Sequence, residues 1–355
     1  LASTEEAHVY ADQAFLTFSI FPEIVPDFSW FTPVQDKARQ AEHKQMARRG
    51  QEELRNLLFG AVDFAACRTV MDFGCGYGAD LVALAEEHPQ LTLCGYTISS
   101  VQAEVGQQKA ATHGFTDRIR IFCRDSAADP FPQSSDLIMG TEVACHIKDK
   151  AALFTNIGAH LNPGGMVVLA DFISHAGFPI EHEETSSFLV TPEEWLALFS
   201  SQGLKLIQHI DISREIANFL YDPHIEEHLA ELRADATVDE HIYAATVSYN
   251  NQQKLMRQGL LSYALLAAQQ QNELTGEALV AWNRALLDSP TTYAEITPTQ
   301  WLYDVQWQPT PLPAAANTQA SGGQWLILAD ALGVGEQLAS QLAAQGDTAL
   351  LVRPG

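Results

Sequence analysis

Two groups of residues in this chain have types and spacing that could do chemistry. The first is Asp72-Phe-Gly-Cys-Gly-Tyr-Gly78, in which Gly74, Gly76 and Gly78 alternate with larger residues. Glycine has no Cβ and tolerates positive φ, so this run predicts a tight turn whose backbone can come close to a ligand. The spacing is G-x-G-x-G, not the G-x-G-x-x-G of dinucleotide binders, so a phosphate is not the expected guest. Asp72 agrees, because a carboxylate there repels a pyrophosphate and suits an ammonium or a hydroxyl. The second group is Glu142-Val-Ala-Cys-His146. If this stretch turns helically, Glu142 and His146 share a face at i, i+4. A carboxylate beside an imidazole raises its basicity and fixes its tautomer, which predicts a general base, His146, oriented by Glu142. The plainer alternative is that His146 caps the next helix or lines the core.

The elements that must position these residues can be read from periodicity. Val70 to Phe73 reads as a short buried strand and Asp80 to Glu87 as a helix. A strand, glycine loop and helix in that order hold a nucleotide-like ligand over the first strand of a doubly wound sheet. Strand and helix patterns alternate from 68 to 172, as in a parallel sheet with helices on both faces. The expected strands are 69–73, 92–96, 119–123, 135–140 and 166–172, with helices near 79–88, 99–113, 127–132 and 149–161. Asn162-Pro-Gly-Gly165 marks the last helix-to-strand turn. Thr191-Pro192-Glu193-Glu194 opens a helix over 191–202, with Thr191 as N-cap and proline at the first helical position. Leu204–Ile212 and Leu260–Ala268 make a sixth and seventh strand, separated by an acidic helical insertion over 214–258 that reads as part of a lid.

The expected class is therefore α/β, a doubly wound seven-stranded Rossmann-like sheet with helical lid segments and a small C-terminal partial Rossmann-like fragment. Its expected divisions are an N-terminal lid or docking segment at 1–66, a core at 67–270 with the insertion at 213–258, a connecting helix and strand at 271–322, and the fragment at 323–355. In the connecting part, Trp301–Gln308 reads as a strand and Pro309–Ser321 as a proline- and alanine-rich linker. The fragment has two strands and one helix, too few to fold alone.

The glycine loop and the motifs C-terminal to it together resemble the class I S-adenosylmethionine-dependent methyltransferases. In that family the loop backbone passes under the amino-acid end and ribose of the methyl donor, which implies S-adenosylmethionine as cofactor and Asp72, Gly74, Gly76 and Gly78 as its contacts. Gly95-Tyr-Thr-Ile-Ser-Ser-Val-Gln102 lacks the family's usual acid after strand two. It resembles the sub-branch with G-x-T-x-S-x-x-Q, which implies that Thr97, Ser99 and Gln102 take the ribose hydroxyls. Arg124-Asp-Ser126 implies Asp125 and Ser126 at the adenine, and Ser135 to Glu142 puts Glu142 at the edge of the donor site. A generic doubly wound sheet would share the rhythm, though not this set of motifs at 69–172. Methyl transfer to a hydroxyl needs the acceptor held in line and a base for its proton, the role expected of His146. His175 and the loop Glu181-His-Glu-Glu184 lie where they could share it, or be solvated. His224-Ile-Glu-Glu-His228 matches H-x-x-E-H formally; in an acidic helical insertion it reads as a solvated face, and no metal is expected.

Composition limits the rest. The 355 residues are 46% hydrophobic and 18% charged, enough to bury a proper core. No apolar run reaches the roughly 18 residues of a membrane span, and the first 20 residues lack a basic start and a cleavage site. Five scattered cysteines without a C-x-x-C pair read as reduced thiols, so the expected location is cytoplasmic. A net charge of −24 argues against nucleic acid as a partner. Against that charge, the predicted helix over 34–59 carries Lys37, Arg39, Lys44, Arg48, Arg49 and Arg55, a solvated face or a docking patch for an acidic partner. The abrupt ends suggest a piece of a longer chain. The tail, Leu302 to Pro309 and then Gln324 to Gly335, resembles the start of the ketoreductase region of modular polyketide synthases, with its cofactor loop reduced to Gly333-Val-Gly335. This resemblance implies an O-methyltransferase domain acting on a β-hydroxyl of a chain tethered to an acyl carrier protein, beside neighbouring synthase domains. The alternatives are carbon methylation of a β-ketoacyl chain, or a non-catalytic domain with a degenerate donor site.

Overall fold

Successive side chains of a strand point to opposite faces, and the central strands here are apolar at consecutive positions, so both faces of the sheet are buried. Val70, Leu93, Leu137, Met139, Val168 and Ala170 enter one core, while Met71, Phe73, Cys94, Ile138, Val167 and Leu169 enter the other. In the computed structural model the described residues are 17–26, 28–29, 37–234, 240–271, 273–296, 323–328, 334–344 and 346–352. They belong to two units, Leu1–Thr299 and Gln300–Gly355.

After the segment 17–29, the first unit runs α1 (Lys37–Leu58), β1 (Thr69–Asp72), α2 (Ala79–Glu87), β2 (Thr92–Thr97), α3 (Ser100–Thr112), β3 (Ile119–Cys123), β4 (Ser135–Thr141), α4 (Lys150–His160) and β5 (Leu161–Ser174). A hairpin of β6 (Ile180–His182) and β7 (Ser187–Leu189) leads to α5 (Pro192–Ser201) and β8 (Leu204–Asp211). Helices α6 (Ser213–Phe219), α7 (Ile225–Ala234) and α8 (Glu240–Arg257) precede the return strand β9 (Leu261–Gln270). Then come α9 (Gly276–Asp288), β10 (Thr291–Thr292) and the short α10 (Tyr293–Ile296). The strand order is β10-β8-β9-β5-β4-β1-β2-β3. β9 pairs antiparallel with β5 and β8, and every other pairing in this sheet is parallel. The order reverses between β1 and β4, and the crevice outside the carboxyl ends at such a switch point is where ligands bind in open α/β sheets.

The doubly wound α/β class is as expected, with the two-residue β10 as an eighth strand. Thr191 and Glu194 form the capping box, with Glu194 N donating to Thr191 Oγ1 at 3.3 Å and Thr191 N to Glu194 Oε2 at 2.8 Å. Two expectations are corrected. No helix forms over 127–132, where Asp125 and Asp129 instead accept backbone N–H groups in a turn. The stretch 181–184 is not a loop but the end of β6 and a 3-10 turn, because Ile180, Glu181 and His182 pair with Leu189, Phe188 and Ser187. The strand expected over Trp301–Gln308 and the linker over Pro309–Ser321 lie outside the described residues. In the second unit, β11 (Gln324–Leu328) pairs parallel with β12 (Thr348–Val352), joined through α11 (Val334–Ala344).

The end of β8 away from β10 would leave backbone groups unpaired, since β10 reaches only Ile210 and Asp211. Asn283 of α9 fills that gap. Its Oδ1 accepts from Leu206 N at 2.8 Å and its Nδ2 donates to Leu204 O at 2.9 Å, both buried. Buried backbone groups left without partners cost about 1–3 kcal/mol each. Asn283→Ala is therefore expected to lower stability by about 2–4 kcal/mol, read as a fall in the urea midpoint at unchanged slope.

Candidate active site

The first group lies at the carboxyl end of β1. Gly76 and Gly78 have φ of 50° and 71°, the left-handed region that glycine enters without strain, and Gly78 is the N-cap of α2. Gly74 is glycine for a different reason: a Cβ there would stand 2.3 Å from the Val143 methyls. Its close approach is thus to the loop after β4, which draws the two candidate groups together. Asp72 is buried and its Oδ1 accepts from Gly74 N at 2.9 Å. Among the described residues it has no cationic partner, and burial with Asp80 nearby pushes its carboxyl up to about 8.

Thr97, Ser99 and Gln102 come together at the end of β2, but largely to satisfy one another. Thr97 Oγ1 donates to Gln102 Oε1 at 2.6 Å, and Ser99 Oγ caps α3 by accepting from Gln102 N at 3.3 Å. What this knot leaves for a ligand is the Gln102 amide N–H₂ and the Ser99 hydroxyl proton. Asp125 is exposed, with Oδ1 accepting from Ala127 N at 2.9 Å. Ser126 is buried, its hydroxyl donating to Phe73 O, and Asn156 Nδ2 reaches its carbonyl at 2.8 Å. Its side chain ties the β3 loop to the end of β1.

The expected Glu142–His146 pair is also corrected. Residues 144–146 form one 3-10 turn, not an α-helix, so the i, i+4 face does not develop. Glu142 has φ 56°, and its Oε1 accepts from Phe18 N at 2.8 Å and from the Tyr263 hydroxyl at 2.9 Å. Burial raises its carboxyl to about 7, with Asp171 adding to the shift. His146 is exposed, and its Nδ1 lies 2.9 Å from Ser186 O. A carbonyl only accepts, so neutral His146 carries its proton on Nδ1 and keeps the Nε2 lone pair free. The orienting partner is thus a hairpin carbonyl rather than a carboxylate.

Sequence reasoning passed over Asp171. It is buried in β5, and its Oδ2 accepts from Cys145 N at 3.0 Å, which fixes the turn bearing His146. Burial raises its pKa. The available signal was an acid inside the apolar run Val167-Val-Leu-Ala-Asp-Phe-Ile173. Lys150 was missed too; buried at the start of α4, it donates to Ile147 O at 2.8 Å and to Phe188 O, bracing the hairpin against the turn. Three of the other histidines make contacts within the fold. His175 Nε2 meets Ser262 Oγ at 2.9 Å, His182 Nδ1 meets Thr185 Oγ1 at 3.1 Å, and His228 Nδ1 meets buried Asp222 at 2.6 Å. Among the described residues no three His, Cys, Asp or Glu side chains are placed to hold a metal.

A glycine turn at the switch point, with a buried carboxyl lacking a counter-cation at its mouth, fits a ligand carrying positive charge. The comparisons agree. The family described as "Methyltransferase domain" matches residues 71–167. The chain is 40% identical to the StiE O-MT domain, with a TM-score of 0.71 over 83% of this chain and 100% of that one. It is 32% identical to the O-methyltransferase of a trans-AT polyketide synthase multienzyme of Brevibacillus brevis, solved with S-adenosyl-L-homocysteine, with a TM-score of 0.74 over 79% of this chain and 93% of that one. Polyketide synthase ThaQ of Burkholderia thailandensis is 34% identical over 273 residues, which are 77% of this chain and 13% of the synthase. The chain belongs to the S-adenosylmethionine-dependent methyltransferases, in the branch of polyketide synthase O-methyltransferase domains. Asp72 and the 74–78 backbone are the residues suited to hold the donor's cationic end, and Gln102 its hydroxyls.

A cationic ligand beside Asp72 favours the ionised carboxylate. At about pH 7, below the raised pKa, binding of S-adenosylmethionine should release a proton from Asp72. Calorimetry in buffers of differing ionisation enthalpy reads that proton. It should vanish in Asp72→Asn, and an unchanged proton count in that variant refutes the assignment.

Proposed function

We propose that this domain transfers a methyl group to the β-hydroxyl of an acyl chain tethered to an acyl carrier protein, with His146 as general base. S-adenosylmethionine supplies an electrophilic methyl on a sulfonium. The chain's own residues supply the rest. Neutral His146, its Nδ1 proton held on Ser186 O at 2.9 Å, accepts the hydroxyl proton at Nε2 as the oxygen forms its new bond to carbon. Ser186 fixes the tautomer and Asp171 fixes the turn. Glu142 anchors the segment at Phe18 and the Tyr263 hydroxyl, and both bonds fall on Oε1. The observation that carries this reading is the imidazole with one nitrogen committed to a carbonyl, placed at the switch-point crevice of an O-methyltransferase fold.

Carrier proteins are acidic, and α1 offers them exposed Lys44, Arg48 and Arg49 on a chain of net charge −24. Arg55 does not belong to that surface; it is buried and bonded to Asp80 at 2.6 Å. The second unit fits the start of a ketoreductase structural half in a longer synthase, and a cytoplasmic setting fits free thiols at all five cysteines.

His146→Ala is expected to lower kcat by about 10²–10⁴-fold while calorimetry shows S-adenosylmethionine binding retained. Full activity in that variant removes His146 from the role. The double change Arg48→Glu with Arg49→Glu should raise KM several-fold for carrier-bound substrate and leave KM for a free thioester unchanged. Equal kinetics on both substrates would discard the docking surface.

A further inference from the structure

Gly50 lies inside α1, where glycine is less favourable than alanine. The packing gives the reason. A Cβ at Gly50 would stand 2.6 Å from Ile20 O and 2.9 Å from Ile20 N, so the backbone of the segment 17–20 lies directly on the helix. Hydrogen bonds fasten this strap there. Ser19 Oγ donates to Ala47 O at 2.8 Å, Ile20 N to Gly50 O at 3.3 Å and Gln51 Nε2 to Thr17 O at 2.7 Å. Between those anchors Phe18 turns to the carboxyl edge of the sheet. Its N–H donates to Glu142 Oε1 at 2.8 Å, and its buried ring meets Tyr249 of α8 at 5.4 Å and Tyr263 of β9 at 6.1 Å. The residue after Glu142 is Val143, whose methyls would meet a Cβ at Gly74 at 2.3 Å. At the far end of the glycine turn, Asp80 in the first turn of α2 is bonded to Arg55 of α1 at 2.6 Å. One helix and its strap therefore hold both ends of the turn that faces the methyl donor.

We propose that Gly50 and Phe18 are positioning residues for the methyl donor: the strap keeps Glu142 and Val143 seated against Gly74, and so sets how fast S-adenosylmethionine and its product leave. Neither residue needs to touch the ligand, since both act through the loop after β4. The assignment stands whichever acceptor is methylated. At Gly50 the close atoms are backbone, not the end of a flexible side chain, so an added Cβ displaces the strap or the helix. Displacing the strap draws the Phe18 N–H away from Glu142 and releases Val143 from the donor loop.

The dissociation rate of radiolabelled S-adenosylhomocysteine, chased with unlabelled ligand, reads this directly. Gly50→Ala should raise that rate about tenfold, the scale of one lost buried hydrogen bond. Its helix content and melting temperature should hold, because alanine favours α1. Phe18→Ala should raise the rate to a similar degree, and Phe18→Leu keeps the apolar bulk if the smaller side chain does not fold. Because both changes act through one strap, the double variant should dissociate no faster than the quicker single one. A general loosening of the fold would instead lower the melting temperature and add the two effects. Wild-type dissociation rates in the single variants, or full additivity in the double variant, overturn the proposal.

Discussion

Three carboxyl groups at the carboxyl edge of the sheet hold this site together, Asp72 and Asp171 buried and Glu142 half-buried. Asp72 ends β1, Glu142 comes directly after β4, and Asp171 sits in β5, each accepting a backbone N–H from a different segment: Gly74 of the donor loop, Phe18 of the N-terminal segment and Cys145 of the histidine turn. Taking a carboxylate charge out of water is costly. Burial accordingly raises all three pKa values, to about 8 for Asp72 and about 7 for Glu142. A neutral carboxyl still accepts through its carbonyl oxygen, so the backbone bonds survive protonation. The linkage has a definite sign. A carboxyl whose folded pKa lies above its unfolded value supports folding at low pH, and that support is lost as pH rises through the folded pKa. In the absence of ligand, the edge is therefore under electrostatic stress from about pH 4 upward, rising through pH 7–8. Positive charge entering beside Asp72 relieves part of it.

How much of this was legible in the sequence depended on whether the cause was local. The β-α alternation and the glycine turn stem from period and from residue type, and they are where expected. Thr191 to Glu194 signalled its capping box through four adjacent residues. Most failures involve partners far apart in the chain; the turn that replaces the helix expected over 127–132 is the exception, made by Asp125 and Asp129 within the segment. Glu142 and His146 are four apart, but their hydrogen-bond partners are Phe18, Tyr263 and Ser186, which are 124, 121 and 40 positions away. Gly74 carries a second requirement that the sequence hides, since a Cβ there would meet Val143. Ser126 spends its hydroxyl on Phe73 O, 53 positions away. In each case the residue type was informative and its partner was not.

Backbone strain marks the same places. Among the described residues, the non-glycine positions with positive φ are Glu142 and Ser186, at 56° and 49°. Such conformations cost of order 1–3 kcal/mol and persist where surroundings over-determine them. The surroundings here are the two bonds on Glu142 Oε1 and the His146 contact at the Ser186 carbonyl. Nothing in the sequence near 142 or 186 announces this geometry, since neither residue is glycine or asparagine. Strained conformers at Glu142, before the histidine turn, and at Ser186, whose carbonyl meets His146, fit a site whose atoms must be placed closely rather than one optimised for stability.

The hairpin connects these parts. A pair of three-residue strands has no independent stability in water, so β6–β7 exists because it is held from outside. Lys150 grips Phe188 O, Ser174 N donates to Val190 O at 2.9 Å, and Leu189 is buried in the first core. One side of the hairpin offers the carbonyl that sets the His146 tautomer; the other walls a mainly apolar cavity beneath α8. Whatever shifts these outside contacts therefore shifts the carbonyl at His146 as well, so the imidazole is placed by Lys150, Ser174 and Leu189 as much as by its own turn.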